Sequence, residues 1–298
     1  MAQATVLATT RSTRTLKSFI SRRPLLTYFV LSYAFFWLVI GLFVAIVVGV
    51  LRQQPSTLPA WLMPLVVIAG SWMPALAAVI VTGTLDGRDG IRTLFTKFLR
   101  FRLPAKWYVA ALIPFGLAFV AALIYKLAGA PAVAGVTLSF SFVVALVVST
   151  LPGAVGEEAG WRGFALPRLL ERYSPLKAGL VLGIVWAGWH LPVMVAGGYS
   201  GLSLLLYGVF FTVGIISVSV VMTWIYARTS KSLVPMVIAH LSVNVGLALI
   251  GVGAAGSGST LALTAIMYSL VCLTAIAVWA AGGLSPRPIS LKSVPLPA

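Results

Sequence analysis

Acid is scarce in this chain. Of 298 residues only Asp86, Asp89, Glu157, Glu158 and Glu171 are acidic, against 21 Lys and Arg, for a formal net charge of +16. Charged residues make up 9% of the sequence and hydrophobic ones 60%, with a mean hydropathy of +1.05. Soluble globular domains carry about 25% charge, so this composition excludes them and leaves a polytopic membrane protein. Nucleic acid as the partner of the surplus charge would require a basic face with aromatic or helical readers. Here the cations fall between apolar runs, where lipid headgroups are their natural counterpart. The one cysteine, Cys272, lies inside an apolar run and excludes both a disulfide and a cysteine metal cluster, while leaving the redox compartment undetermined. Only two histidines are present, His190 and His240, both inside runs apolar enough to cross a bilayer.

An apolar run of about 20 residues makes one crossing. Such runs occur near 25–51, 60–84, 107–129, 136–156, 177–197, 202–227, 232–252 and 260–282. The sequence therefore predicts an all-α membrane protein of about eight transmembrane helices. Short cytoplasmic loops collect Lys and Arg, and the segments between the runs alternate accordingly. Nineteen cations fall in the N-terminal tail, the second, fourth and sixth loops and the C-terminal tail, and two, Arg52 and Lys126, in the loops between them. Both termini are therefore expected on the cytoplasmic side, with the cell membrane as location. Residues 1–24 read as a disordered basic tail, 25–283 as one transmembrane domain and 284–298 as a short tail. The second loop, Asp86 to Lys106, spaces Ile91, Leu94, Phe95, Phe98, Leu99 and Phe101 among cations at helical intervals, the pattern of an amphipathic helix lying in the interface. No internal repeat and no long linker divide the chain.

A titratable group at membrane depth costs about 2.5 kcal/mol or more, which makes it a functional candidate with a partner to be found. The adjacent pair Glu157 and Glu158 ends the fourth run. Residues four apart on a helix lie one above the other, so Glu158 and Arg162 share a face, and Glu157, turned by about 100°, looks elsewhere. Trp186 and His190 share a face just before Pro192, as do His240 and Asn244. Singly, each pair reads as a solvated helix end or as interhelical packing glue. Together they supply a carboxylate and an imidazole to deprotonate water, and an imidazole and an amide to donate to an oxyanion. These are the parts of a peptide hydrolase that has no Ser or Cys nucleophile. A proton-coupled transporter using the same groups as a relay would show repeated halves with broken helices, which the sequence lacks. A non-catalytic immunity or scaffold protein is the third reading, against which the intact polar sets argue.

Three segments resemble the motifs of one family. EEAGWR at 157–162 resembles EExxxR, WAGWH at 186–190 resembles FxxxH, and HLSVN at 240–244 resembles HxxxN of the CPBP intramembrane proteases, which include the type II CAAX prenyl endopeptidases and bacteriocin-processing or immunity proteins. Order and spacing agree over roughly residues 140 to 250, and the three motifs are specific jointly, where each alone is weak. The resemblance implies that Glu157 and His190 activate water, that His240 and Asn244 stabilise the oxyanion, and that Glu158 and Arg162 hold the first motif. It implies peptide or prenylated protein substrates in contact with membrane lipids, and a catalytic cavity opening toward the cytoplasmic side. Trp186 departs from the usual Phe while keeping an aromatic. The family has been argued over as metallo- or glutamate protease. There is no HExxH here, and two His and two Glu are all that a zinc site could use. The pairing of Asn244 with His240 and the lack of a third histidine favour a mechanism without a metal cofactor.

Overall fold

The computed structural model describes residues 17–52, 59, 62–130, 139–251 and 258–285. The expected basic tail lies outside the described residues up to residue 16, as does the C-terminal tail from residue 286. Residues 17–22 are helical, with Ile20 buried.

Among the described residues every regular element is helical: α1 (Pro24–Val44), α2 (Leu62–Ser71), α3 (Met73–Thr96), α4 (Ala105–Ala111), α5 (Ile113–Leu127), α6 (Phe140–Gly160), α7 (Leu166–Leu170), α8 (Pro175–Trp189), α9 (Leu191–Ala196), α10 (Gly201–Arg228), α11 (Val234–Leu249) and α12 (Gly258–Ala280). Wider π turns extend α1 over Ala45–Val50 and join α6 to α7 over Trp161–Ala165. Proline sets many of the starts. Pro24, Pro74, Pro114, Pro167, Pro175, Pro192 and Pro235 each occupy the first turn of a helix, where the missing N–H leaves no bond unmade.

Each of the eight apolar runs contains a helix, but not eight spanning helices. Six helical segments are long and apolar enough to cross a membrane, and the α4–α5 pair, bent by 41°, makes a seventh if taken as one span. The helix in the remaining run, α11, has 16 residues. At about 1.5 Å per residue it measures about 24 Å, short of the roughly 30 Å hydrocarbon core.

Gly87 breaks α3 at φ 64°, ψ −152°, backbone that a residue without Cβ adopts readily. Beyond the break, Leu94 is buried while Phe95, Leu99 and Phe101 are exposed. This is the amphipathic pattern that the second loop predicts.

The alternate connections meet at one end of the bundle. There Arg100 Nη1 donates to Ser230 O (2.7 Å), Ser232 Oγ donates to Arg100 O (2.7 Å), and Arg228 Nη2 donates to Gly283 O (2.9 Å). Lys97 Nζ donates to Gly163 O, and Arg168 faces Asp86 at 3.9 Å. The cation-rich segments thus form one interlocked face. Directly above it α6 crosses α2 and α3 at close range, because a Cβ on Gly156 or Gly160 would come within 2.8 Å of the Ser71 carbonyl or 2.6 Å of the Pro74 backbone. Helix α1 lies along α8, where Phe36 stacks on Trp189 at 3.7 Å and Trp189 Nε1 donates to Ser32 O at 3.2 Å.

Candidate active site

Glu157 and Glu158 occupy the last turn of α6, and the π turn that follows carries Arg162 round to the same face. Glu158 is fully buried, and its Oε1 accepts from two donors at once: Arg162 Nη1 at 2.8 Å and His240 Nδ1 at 2.8 Å. Arg162 is equally buried, with its guanidinium 4.2 Å over the Trp186 ring. A charge taken out of water in this way is tolerable only when matched by an opposite charge and by hydrogen bonds. Glu158 is therefore committed to its partners.

Glu157 faces the other way. It is 5% exposed, and its Oε2 accepts from Trp186 Nε1 at 2.8 Å. One oxygen is thus held by an indole that phenylalanine could not replace, and the other is left for chemistry.

His190 stands where α8 stops and α9 begins. Its backbone N–H is drawn to Ala187 O, three residues back, at 3.1 Å, while the ring Nδ1 approaches Trp186 O at 2.8 Å. A carbonyl only accepts, so Nδ1 carries the hydrogen and Nε2 presents its lone pair. His240, 4% exposed on α11, is oriented in the same manner by the Glu158 carboxylate, which leaves its Nε2 outward. Asn244, one turn further, is exposed.

These side chains converge on a cavity of about 570 Å³ lined by Glu157, Trp186, His190, His240 and Asn244, with Phe36, Phe211 and Tyr268 among its aromatic walls. Glu158 and Arg162 stand outside the lining, behind Glu157 and His240. The catalytic candidates from three motifs, separated by up to 87 positions from Glu157 to Asn244, therefore share one chamber. The set divides into groups that reach the cavity and groups that brace them.

Sequence reasoning paired Glu158 with Arg162 and His240 with Asn244. It did not find the Glu158–His240 bond or the Trp186–Glu157 bond, because each links different helices and helical spacing carries no signal for either. The cavity does not reach the cation-rich end. The first motif adjoins the cation-rich end, but that end is closed by Trp161, Phe164 and Leu166, all fully buried. The lining residues lie on the opposite side of the carboxylates.

Among the described residues no three His, Cys, Asp or Glu side chains are grouped to hold a metal ion, and Glu158 Oε1 is occupied by Arg162 and His240.

The fold and this centre define a polytopic membrane protein with a polar-lined cavity inside an apolar helix bundle. Residues 139–246 match the family described as type II CAAX prenyl endopeptidase, Rce1-like. The chain is also similar to the CAAX prenyl protease 2 of Methanococcus maripaludis, with 31% identity over 122 residues, a stretch covering 40% of this chain and 45% of that relative. This similar segment contains all three motifs, and the chain spans less than half the length of that relative.

Proposed function

We propose that this protein is an intramembrane endopeptidase that cleaves membrane-associated peptides with a water molecule activated by Glu157 and His190. The observation that carries the reading is the shared chamber, in which Glu157 from α6, His190 from the α8–α9 junction and His240 and Asn244 from α11 line one cavity while Glu158 and Arg162 are withheld from it.

The free oxygen of Glu157 and Nε2 of His190 are both acceptors, and a water between them gives up a proton as it attacks the peptide carbonyl carbon. The carbonyl oxygen becomes an oxyanion, and Asn244 Nδ2 and His240 Nε2 are the donors for it. For Nε2 to donate, His240 must hold a proton on each nitrogen, and the Glu158 carboxylate under Nδ1 is the counter-charge that such an imidazolium needs. Collapse of the tetrahedral intermediate breaks the C–N bond, and the proton taken from water passes to the leaving nitrogen. Every step uses residues of this chain. The 25–283 domain carries the activity, with both termini cytoplasmic.

The family and the name of the relative make prenylated C-terminal peptides the first substrates to try, beside unmodified membrane-anchored peptides. Purified protein should cleave at least one member of such a panel, Glu157→Ala should abolish cleavage, and chelation should leave the wild-type rate unchanged. Activity that survives in Glu157→Ala, or that chelation abolishes, would overturn the reading.

A further inference from the structure

The connection from α3 to α4 and the one from α10 to α11 are tied together at the cation-rich end. Leu233 N–H donates to Lys97 O at 3.2 Å, Arg100 Nη1 to Ser230 O at 2.7 Å, and Ser232 Oγ to Arg100 O at 2.7 Å. The second connection takes an unusual path to meet the first. Ser230 and Lys231 stand at φ 50° and 60°, a left-handed backbone that residues with a Cβ rarely adopt. Strain of this kind persists only where the surroundings fix it, and it collects at binding sites. Here it sets Ser230 as one wall of a cavity of about 410 Å³, whose other walls are Leu99, Arg100, Phe101, Arg102 and Leu103.

The cavity is electrostatically unbalanced. Arg100, Arg168 and Lys231 lie close enough to Lys97 to repel its charge. Among the described residues the ion pairs are those of Glu158 with Arg162 and His240 and of Asp86 with Arg168, so no carboxylate stands within 4.0 Å of Lys97, Arg100, Arg102 or Lys231. A guanidinium carries five N–H donors in a planar fork that fits phosphate oxygens. Arg100 commits Nη1 to Ser230, and two such forks remain beside the cavity.

Apolar side chains alternate with these cations. Leu99 is 70% exposed and Phe101 59%, one on each side of Arg100, apolar surface that favours acyl chains over water. A segment with apolar side chains beside cationic ones lies where headgroups meet hydrocarbon, whichever side of the membrane this end faces. A zwitterionic headgroup would bring a cation of its own to the cavity, whereas an anionic one brings the phosphate charge unopposed.

We infer that the cavity between the 99–103 segment and Ser230 binds the phosphate of an anionic phospholipid, held by Arg100 and Arg102, with Leu99 and Phe101 among its acyl chains. This cavity and the proposed peptidase chamber share no lining residue, and lipid occupancy is measured without turnover.

The test uses the full chain in a neutral detergent, with energy transfer from its tryptophans to a tail-labelled phosphatidylglycerol as the signal. Unlabelled phosphatidylglycerol should displace this probe, and phosphatidylcholine should need a concentration about tenfold higher or more. Arg102→Gln leaves the contact of Arg100 with Ser230 in place, removes a charge-assisted bond and should weaken the probe about tenfold or more. Lys106→Gln removes one charge from the start of α4, outside the cavity, and should bind the probe as the wild type does. Equal displacement by the two lipids, or equal weakening in the two variants, would reduce the site to diffuse charge and overturn the inference. Displacement by inorganic phosphate or by an acidic peptide, at the concentrations where phosphatidylglycerol acts, would overturn the assignment to lipid.

Discussion

Replacing Glu158 by glutamine tests the brace behind the site. Its Oε1 accepts from Arg162 and His240, each at 2.8 Å, and both Glu158 and Arg162 are 0% exposed. The amide keeps the shape but removes the charge, leaving a buried guanidinium without its counter-ion. Breaking a buried pair from one side costs about 3–5 kcal/mol, and a domain of this size loses about 2–4 °C of melting temperature per kcal/mol. Glu158→Gln should therefore melt roughly 6–20 °C below the wild type in detergent. A second variant separates stability from catalysis. In Glu158→Gln/Arg162→Met the uncompensated charge is gone, and apolar replacement of a buried pair is close to neutral, so most of the melting temperature should return. Cleavage should not return, because His240 still lacks the anion that orients Nδ1 and supports a proton on Nε2. Thermal unfolding followed by tryptophan fluorescence and cleavage of a membrane-anchored reporter measure the two effects. An unchanged melting temperature in Glu158→Gln would refute the energetic argument, and wild-type cleavage by the double variant would refute the role given to the His240 contact.

Trp186→Phe keeps a ring over Arg162 but loses the donor to Glu157; a hydrogen bond to a charged group is worth about 1.5–3 kcal/mol, so kcat should fall roughly 10- to 150-fold with KM steady, and unchanged turnover would show that the indole N–H is idle. Asn244→Ala removes an exposed side chain and should leave stability within about 0.5 kcal/mol while lowering kcat about 10²- to 10³-fold; a rise in KM alone would place Asn244 in substrate binding instead. Two glycines predict opposite signs in the same melting assay. Gly160→Ala drives a methyl to 2.6 Å from the Pro74 backbone and should cost about 1–3 kcal/mol, whereas Gly116→Ala, with nothing within 4 Å of the new Cβ, should stabilise α5 by about 0.5–1 kcal/mol. Equal effects at the two positions would contradict the close approach of α6 to α3.

Helical spacing made part of this site legible. The Glu158–Arg162 pair sits one turn apart, and so do His240 and Asn244; local geometry alone brings each together. The Trp186–His190 relation was visible too, and the two rings do lie 5.8 Å apart between centroids, though the hydrogen bond from the imidazole goes to the Trp186 backbone carbonyl. The bonds from Glu158 to His240 and from Trp186 to Glu157 span 82 and 29 positions, so no periodicity reports them. The fold was legible as eight apolar runs because burial in lipid imposes one strong compositional demand. Their spanning status was not, since α11 is short and the α4–α5 segment bends at Leu112, features of packing that hydropathy does not encode. The filling beside the carboxylates is likewise not legible, since it is made by side chains as distant in sequence as Tyr28 and Phe164, at 4.8 Å between ring centroids.

Trp186 touches four members of the centre: it donates to Glu157, lies under Arg162, meets the His240 ring at 5.3 Å between centroids, and accepts from His190. A membrane protein is delivered to the bilayer from its N-terminus onward, so α6 arrives with Glu157 and Glu158 before α8 exists to receive them, and α11 arrives later still. Until then the two carboxylates have Arg162 for company and no imidazole, and the chamber has no roof. If the proposed hydrolysis holds, competence arrives only when α11 docks, and a nascent chain halted before α11 has no complete site with which to attack its neighbours in the membrane.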